Sequence, residues 1–419
     1  MINKLTSLLK TQTLKDSAVS FFGHIGSALI NLVFFALVTR RLGPQAFGIF
    51  ALCMTTTYLI KDFADIALDS ALLKFVPASH PPVARGFLKQ IFTIKLLYAA
   101  AFILIGITFR HPLSQLVFKF DLPTLIILST IWSLSQSIMS FITTTFQARK
   151  QFFHASIFIS AVSTVRLLLL FITLGLNIFS VASLIIISFT ADFITISVGL
   201  TFIGLRFLHA HPSAKTNRRI FKFGLPMLAT SLSGILSDKL NVYLTNYYTT
   251  AAEVGLLSAA SRLFTPVQSL TGSLSRVFGS RHAGFPHHQS ARTYLYKTLS
   301  LAAILAAGLI FTSLFAHPMI FILYGSEFLS ATLVFQILTF GYGIFLLLVP
   351  LNSYLLYYLG RSDIMGYLSI VQLIITIVTN LALIPPYGIT GAAGAFVLTM
   401  LTSLLLTGLL CKLSQPIKH

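Results

Sequence analysis

Lys61, Asp62, Asp65 and Asp69 stand close together in a stretch, residues 49–73, that is otherwise largely apolar. At about 100° per residue on a helix, Thr55, Tyr58, Asp62, Asp65 and Asp69 share one face. Lys61 is four residues from Asp65, near enough to pair with it. A second such face carries Ser231, Gly234, Asp238, Asn241 and Thr245, with Lys239 beside it. A third carries Ser258, Arg262, Thr265, Ser269, Gly272 and Arg276. Ionisable groups inside a bilayer cost roughly 2.5–3.5 kcal/mol each on insertion scales, so they turn towards a partner or towards water. Small and hydroxyl residues alone make an ordinary helix-packing seam, but a seam does not need a cation. The faces with Lys239 and Arg262 therefore suit the wall of a hydrated central cavity. Lys61, Lys239, Arg262, Asp238, Asn241, Ser258 and Thr265 are its candidate binding residues.

Carboxylates in the same setting are candidates for ion coupling, here Asp62, Asp65, Asp69 and Asp192. Asp192 shares a face with Ser188, Thr195 and Gly199, and lies at a depth similar to that of Arg166 on the preceding stretch. This predicts a structural Arg166–Asp192 pair, with a proton-coupling site as the alternative. Ser133, Gln136, Ser137, Ser140 and Thr144 form a neutral stripe that reads as packing. Lys95, near the inner end of its stretch, is expected to snorkel. His287 and His288 read as part of a solvated loop. Cys53 and Cys411 sit far apart in apolar stretches, with no metal or pairing spacing, and read as packing residues. No Asp-x-Asp pair, P-loop, Gly-x-Ser-x-Gly or His/Cys cluster occurs, so neither an enzyme, nor a metal site, nor a cofactor is indicated.

The elements that must position these residues are membrane helices. Of 419 residues, 56% are hydrophobic and 9% charged, where a soluble domain is roughly 25% charged. Apolar stretches of about 18 residues or more recur along the chain. They fall at about 18–39, 49–73, 91–109, 123–145, 155–175, 179–204, 222–247, 254–278, 294–316, 331–357, 363–385 and 389–411, with ends uncertain by several residues. The first lacks a small-residue cleavage site and reads as a helix rather than a signal peptide. No connection has room for a soluble domain.

The net charge of +19 is not a nucleic-acid footprint, because its carriers sit in short connections. Twenty of the 29 Lys and Arg fall in segments on the side of the N-terminus, four on the other side, and five within the stretches. That asymmetry predicts both termini in the cytoplasm, in a multi-pass protein of the inner-membrane type. The basic 205–221 loop divides the chain into two six-helix lobes, 1–210 and 211–419. Gln45–Phe50 and Ala252–Leu257 are faintly alike, at matching places in the two halves, which suggests a repeat about an axis along the membrane normal.

Several motifs follow one another in a recognisable order. Leu42-Gly43-Pro44 with Phe47-Gly48 comes first, then Ala64-Asp65-Ile66-Ala67-Leu68. Phe223-Gly224-Leu225-Pro226 opens the second half, followed by Asp238-Lys239 and by Glu253-Val254-Gly255-Leu256-Leu257-Ser258 running on to Arg262. Leu323-Tyr324-Gly325 and Pro385-Pro386-Tyr387-Gly388 complete the series. Together these resemble the polysaccharide-export flippases, the O-antigen (Wzx-type) branch of the multidrug/oligosaccharidyl-lipid/polysaccharide (MOP) superfamily, over nearly the whole chain. Ile66 and Ala67 depart from it where a glycine is common, and Leu257 where Tyr is usual. Twelve spans fit this branch better than the peptidoglycan-precursor flippases, which usually carry two more.

The resemblance implies an all-α integral membrane fold of two lobes around a central cavity. It also implies translocation of undecaprenyl-diphosphate-linked oligosaccharide to the periplasmic leaflet by alternating access, for lipopolysaccharide or capsule-like surface polysaccharide. The partners would be that lipid-linked oligosaccharide, membrane lipids and the polysaccharide polymerase machinery. A diphosphate needs cations, which Lys61, Lys239 and Arg262 supply. Counted from the turn near Ala251, Lys239 and Arg262 lie about 15 Å down adjacent helices, with Asp238 nearby and Lys61 facing them from the other lobe. Two other classes remain: a cation-coupled multidrug exporter of the same superfamily, and a polytopic glycan polymerase, ligase or glycosyltransferase.

Overall fold

The computed structural model describes residues 12–65, 68–210, 214–285 and 287–414. Lys4, Lys10 and Lys418 of the charge pattern, Ile66, Ala67 and Pro286 lie outside the described residues, as do the side chains of Lys15, Lys215, Leu225 and Pro226. The described chain is helical, without strands: α1 (Gln12–Asp65), α2 (Leu68–Phe75), α3 (Pro81–Thr108), α4 (Arg110–Phe118), α5 (Pro123–Ala148), α6 (Phe152–Gly175), α7 (Val181–Ile203), α8 (Ala214–Tyr248), α9 (Ala251–Arg262), α10 (Thr265–His282), α11 (His288–Thr312), α12 (Ala316–Tyr324), α13 (Ala331–Ser353) and α14 (Ser362–Leu413).

Among the described residues, eight helical segments are long and apolar enough to cross a membrane. Two of them, Ile25–Phe63 and Ser362–Leu413, contain a non-helical glycine, Gly43 (φ 70°) and Gly388 (φ 55°) respectively. Each therefore supplies two passes. At Gly43 the left-handed backbone, with Pro44 behind it, ends one helix and starts the next. The spans expected over 222–247 and 254–278 correspond to α8 and to the α9–α10 pair. Apolar side chains point outwards, with Leu104 66% and Ile304 70% exposed, which suits contact with lipid and not with water.

The chain forms two compact units. The first takes in residues up to Phe34 and then Ile49–Ile235. Its core is aromatic and aliphatic: Phe75 stacks on Phe87, Phe141 packs between Phe92 and Phe207, and Leu72, Ile91, Ile142 and Phe158 fill the space around them. The second takes in Phe35–Gly48 and Leu236–His419. There Phe264 is stacked between Phe335 and Tyr342, and a π turn at Tyr354–Tyr358 packs Leu355 and Leu359 against Ala291 and Leu295.

The Phe35–Gly48 segment is tied into the second unit by backbone contact with α9. A β-carbon on Gly48 would fall 1.6 Å from the Ala251 carbonyl oxygen, and one on Gly255 would fall 2.1 Å from that of Pro44. The two faintly repeated motifs thus meet, glycine against glycine. Arg40 reinforces the join by donating to the main-chain carbonyls of Phe321, Ile322 and Leu323 at the end of α12, where a cation is favoured by the helix dipole.

The expected helix over 254–278 is interrupted. α9 ends at Arg262, and α10 starts at Thr265 after Leu263 and Phe264. Pro266 has no N–H to give the Arg262 carbonyl, and the Thr265 hydroxyl donates to that oxygen instead, at 2.9 Å. The polar face from Ser258 to Arg276 is therefore two short faces rather than one continuous stripe.

Candidate functional site

The first unit contains a network of charges with Asp65 and Lys95 buried at its centre and Lys61, Asp62 and Asp69 half-buried around them. Lys61, Asp62 and Asp65 lie on the last turns of α1, Asp69 on α2, Lys95 on α3, and Ser137 and Ser140 on α5. Lys61 Nζ is 3.1 Å from Asp62 Oδ1 and 3.4 Å from Asp65 Oδ2. Lys95 Nζ is 2.6 Å from Asp65 Oδ1 and 2.8 Å from Asp69 Oδ1. Ser137 Oγ donates to Asp65 and Ser140 Oγ to Asp69, both at 2.5 Å.

Lys95 does not snorkel. It is completely buried, because α3 passes beside two carboxylates that attract its ammonium more strongly than a distant interface could. Nor is the polar stripe of α5 merely packing: its hydroxyls bind the carboxylates. With all groups ionised, the network sets three carboxylates against two ammonium groups. It therefore carries one uncompensated negative charge, and a proton or a small cation would neutralise it.

A second buried centre surrounds Asp192, which has no solvent exposure. Its Oδ2 accepts from Trp132 Nε1 at 2.9 Å, Ser135 Oγ at 2.8 Å and Gln136 Nε2 at 2.6 Å. Its Oδ1 is 3.4 Å from Arg166 Nη2. The Arg166 guanidinium also lies within about 6 Å of the Phe34 and Trp132 rings, a cation–π setting. With four donors converging on one carboxylate, the centre reads as a pin joining α5, α6 and α7.

Neutralising one partner of a buried pair strands the other, at a cost of roughly 3–5 kcal/mol. Arg166→Gln and Asp192→Asn should each sharply lower the amount of folded protein, measured by size-exclusion of detergent extracts, and the double variant should recover much of it. Well-folded but inactive single variants would instead make this centre part of the transport chemistry.

In the second unit, Lys239 Nζ is 2.5 Å from Asp238 Oδ2. The Lys239 side chain is only 17% exposed, against 67% for Asp238. Asn241 Nδ2 donates to the Ala392 carbonyl on α14 at 3.3 Å, and the Thr245 hydroxyl donates to the Asn241 carbonyl. Arg262, the last residue of α9, stands 4.5 Å over the Phe35 ring. Ser258 lies one turn earlier on α9, and Thr265 opens α10. Lys61 belongs to the first unit, and Asp238, Lys239, Asn241, Ser258, Arg262 and Thr265 to the second.

Sequence reading missed Lys95, Trp132, Ser135, Gln136, Ser137 and Ser140 as members of these centres. For all but Lys95 the signal was present on α5, in a run of polar residues: Ser137 and Ser140 turn towards Asp65 and Asp69, and Trp132, Ser135 and Gln136 towards Asp192.

No curated protein sequence matches the chain. Solved transporters share its fold. The lipid II flippase MurJ in an inward closed conformation superposes with a TM-score of 0.77 at 15% identity, over 95% of this chain and 87% of that one. An inward-facing multidrug resistance MATE family transporter of the MOP superfamily gives 0.73 at 13% identity, over 94% and 97%. A MOP superfamily transporter from Pyrococcus furiosus gives 0.68 at 15% identity, over 95% and 94%. At such identities the likeness is one of fold. The sequence itself matches a family over residues 13–278, more than half its length. The chain is a multi-pass membrane protein with the fold of the MOP-superfamily transporters, and it belongs to the polysaccharide biosynthesis protein family.

Proposed function

We propose that this protein is a flippase that moves polyprenyl-diphosphate-linked oligosaccharide from the cytoplasmic to the periplasmic leaflet of a bacterial inner membrane, by alternating access, for surface polysaccharide such as O-antigen or capsule. The observation that carries the proposal is a family match to polysaccharide biosynthesis in a chain whose second unit places Lys239 and Arg262 in polar helices. Arg262 rests on an aromatic ring, and Lys239 on a mostly exposed carboxylate. An incoming diphosphate would give Arg262 a charge-assisted partner bound through two bonds and would compete with Asp238 for Lys239. Asn241, Ser258 and Thr265 add hydrogen-bonding groups for sugars.

The net negative charge of the Lys61–Asp62–Asp65–Asp69–Lys95 network supports a second role, as the coupling site for a proton or a metal cation. The 20:4 division of basic residues supports both termini in the cytoplasm. A cysteine placed in the 205–221 loop would then react only with reagents that reach the cytoplasmic face. Depleting the protein should make lipid-linked oligosaccharide accumulate in the cytoplasmic leaflet. No accumulation, together with loss of cationic-dye efflux, would assign the chain to multidrug export instead.

A further inference from the structure

The first unit has a cavity of about 850 Å³ that belongs to neither charge network. It opens where three connections come together: the one after α2, the one between α5 and α6, and the one after α7. Leu88, Ala148, Ile203 and Phe207 line it from the buried core. Arg85, Arg149, Lys150 and Arg206 supply its polar walls, and no carboxylate lines it. None of the ten acids of the chain lies in 76–88, 148–150 or 203–207, the segments that line it.

Arg149 is held in place by donating from Nη1 to the Ile203 carbonyl at 3.1 Å. Partial burial with no carboxylate beside it pushes its pKa below the usual guanidinium range. Lys150 adopts a left-handed backbone, φ 60°, at the helix-ending position where glycine is the usual occupant. Exposed Leu205 is part of the rim, and exposed Phe202 and Leu208 lie beside it in sequence.

We infer that this cavity is a binding site for the phosphate-bearing headgroup of an anionic phospholipid. Four cations without an acid call for an anion. The volume is in the range of sites that enclose a whole small ligand, more than a phosphate ion alone would fill. An apolar floor, with exposed apolar residues at the rim, suits the glycerol and the first acyl carbons. Basic pockets between membrane helices take anionic headgroups in this way. The inference goes beyond the transport reading and does not depend on it, since binding is measured on the purified chain without transport.

The test is lipid retention by the purified full-length protein in detergent, read by native mass spectrometry against phosphatidylglycerol and phosphatidylcholine. Phosphatidylglycerol should be retained in clear preference. Each cation removed should weaken it by about fivefold, so Arg149→Gln/Arg206→Gln should lose roughly twentyfold to thirtyfold. Arg292→Gln/Lys297→Gln, which removes two exposed cations of α11, should retain the lipid like the parent. Because Arg149 also supports the fold, Arg206→Gln alone, at an exposed residue, serves as the second variant and should lose about fivefold. Equal retention of the two lipids, or parental retention by both cavity variants, would overturn the site. Displacement of phosphatidylglycerol by inorganic phosphate at constant ionic strength would overturn the lipid assignment in favour of a free phosphate.

Discussion

Replacing Lys95 with methionine should remove most of the folded protein from the membrane. Lys95 bridges Asp65 and Asp69, at 2.6 and 2.8 Å, and its side chain is 1% exposed. Without it, one ammonium, that of Lys61, is left among the described residues of the network against three carboxylates. Removing one partner from a buried ionic cluster costs roughly 3–5 kcal/mol, against a total stability of about 5–15 kcal/mol for a typical domain. Membrane-inserted, monodisperse protein is the quantity to measure. Lys95→Met/Asp65→Asn, which removes one charge of each sign, should restore a large part of it, with Ser137 still available to the amide. If Lys95→Met is as abundant and as heat-resistant as the parent, then the ammonium is not what holds α1, α2 and α3 together. A folded Lys95→Met that fails only in transport would shift the residue from stability to ion coupling.

Reversing the charge at Arg262 or Lys239 should abolish glycan export, by a factor of a hundred or more, while the protein stays folded. A glutamate at either place would set a like charge against a diphosphate, and like-charge juxtaposition costs several kcal/mol. Folding should survive better here than at Lys95, because Arg262 sits over a phenyl ring and Lys239 is paired with an exposed acid. Arg262→Lys keeps the charge but gives up the planar fork that binds phosphate through two bonds, so part of the export should remain. Appearance of the oligosaccharide on the outer surface measures all three variants. The rival account is that Asp238, Lys239 and Arg262 only neutralise and pin helices. Full export by a stably expressed Arg262→Ala/Lys239→Ala variant would establish that account and remove the headgroup site.

Much of the architecture is legible in the sequence. Long apolar stretches with few charges specify membrane helices, because only a helix satisfies its own backbone in lipid. The glycine and proline positions at Gly43-Pro44 and at Pro385 to Gly388 mark where two of those helices reverse. The interruption between Arg262 and Thr265 also had its cause in the sequence, in Pro266. The polar periodicity nevertheless runs unbroken across that proline, as it would in one long helix.

The partners of the charged residues are a different matter. Helical periodicity places side chains on faces, but it says nothing about which other helix that face meets. Lys61 and Asp65 are four residues apart, so their pairing is local and could be read directly. Lys95 and Asp65 are thirty positions apart, and Trp132 and Asp192 sixty. Gly48 and Gly255 are separated by half the chain. Such contacts exist only once α3 lies beside α1 and α2, α5 beside α7, and the Phe35–Gly48 segment against α9. Lys95 shows the consequence most clearly. A lone lysine near a helix end belongs at the interface, where water relieves its charge. Two carboxylates brought within 3 Å by neighbouring helices relieve it better, and only the tertiary fold supplies them.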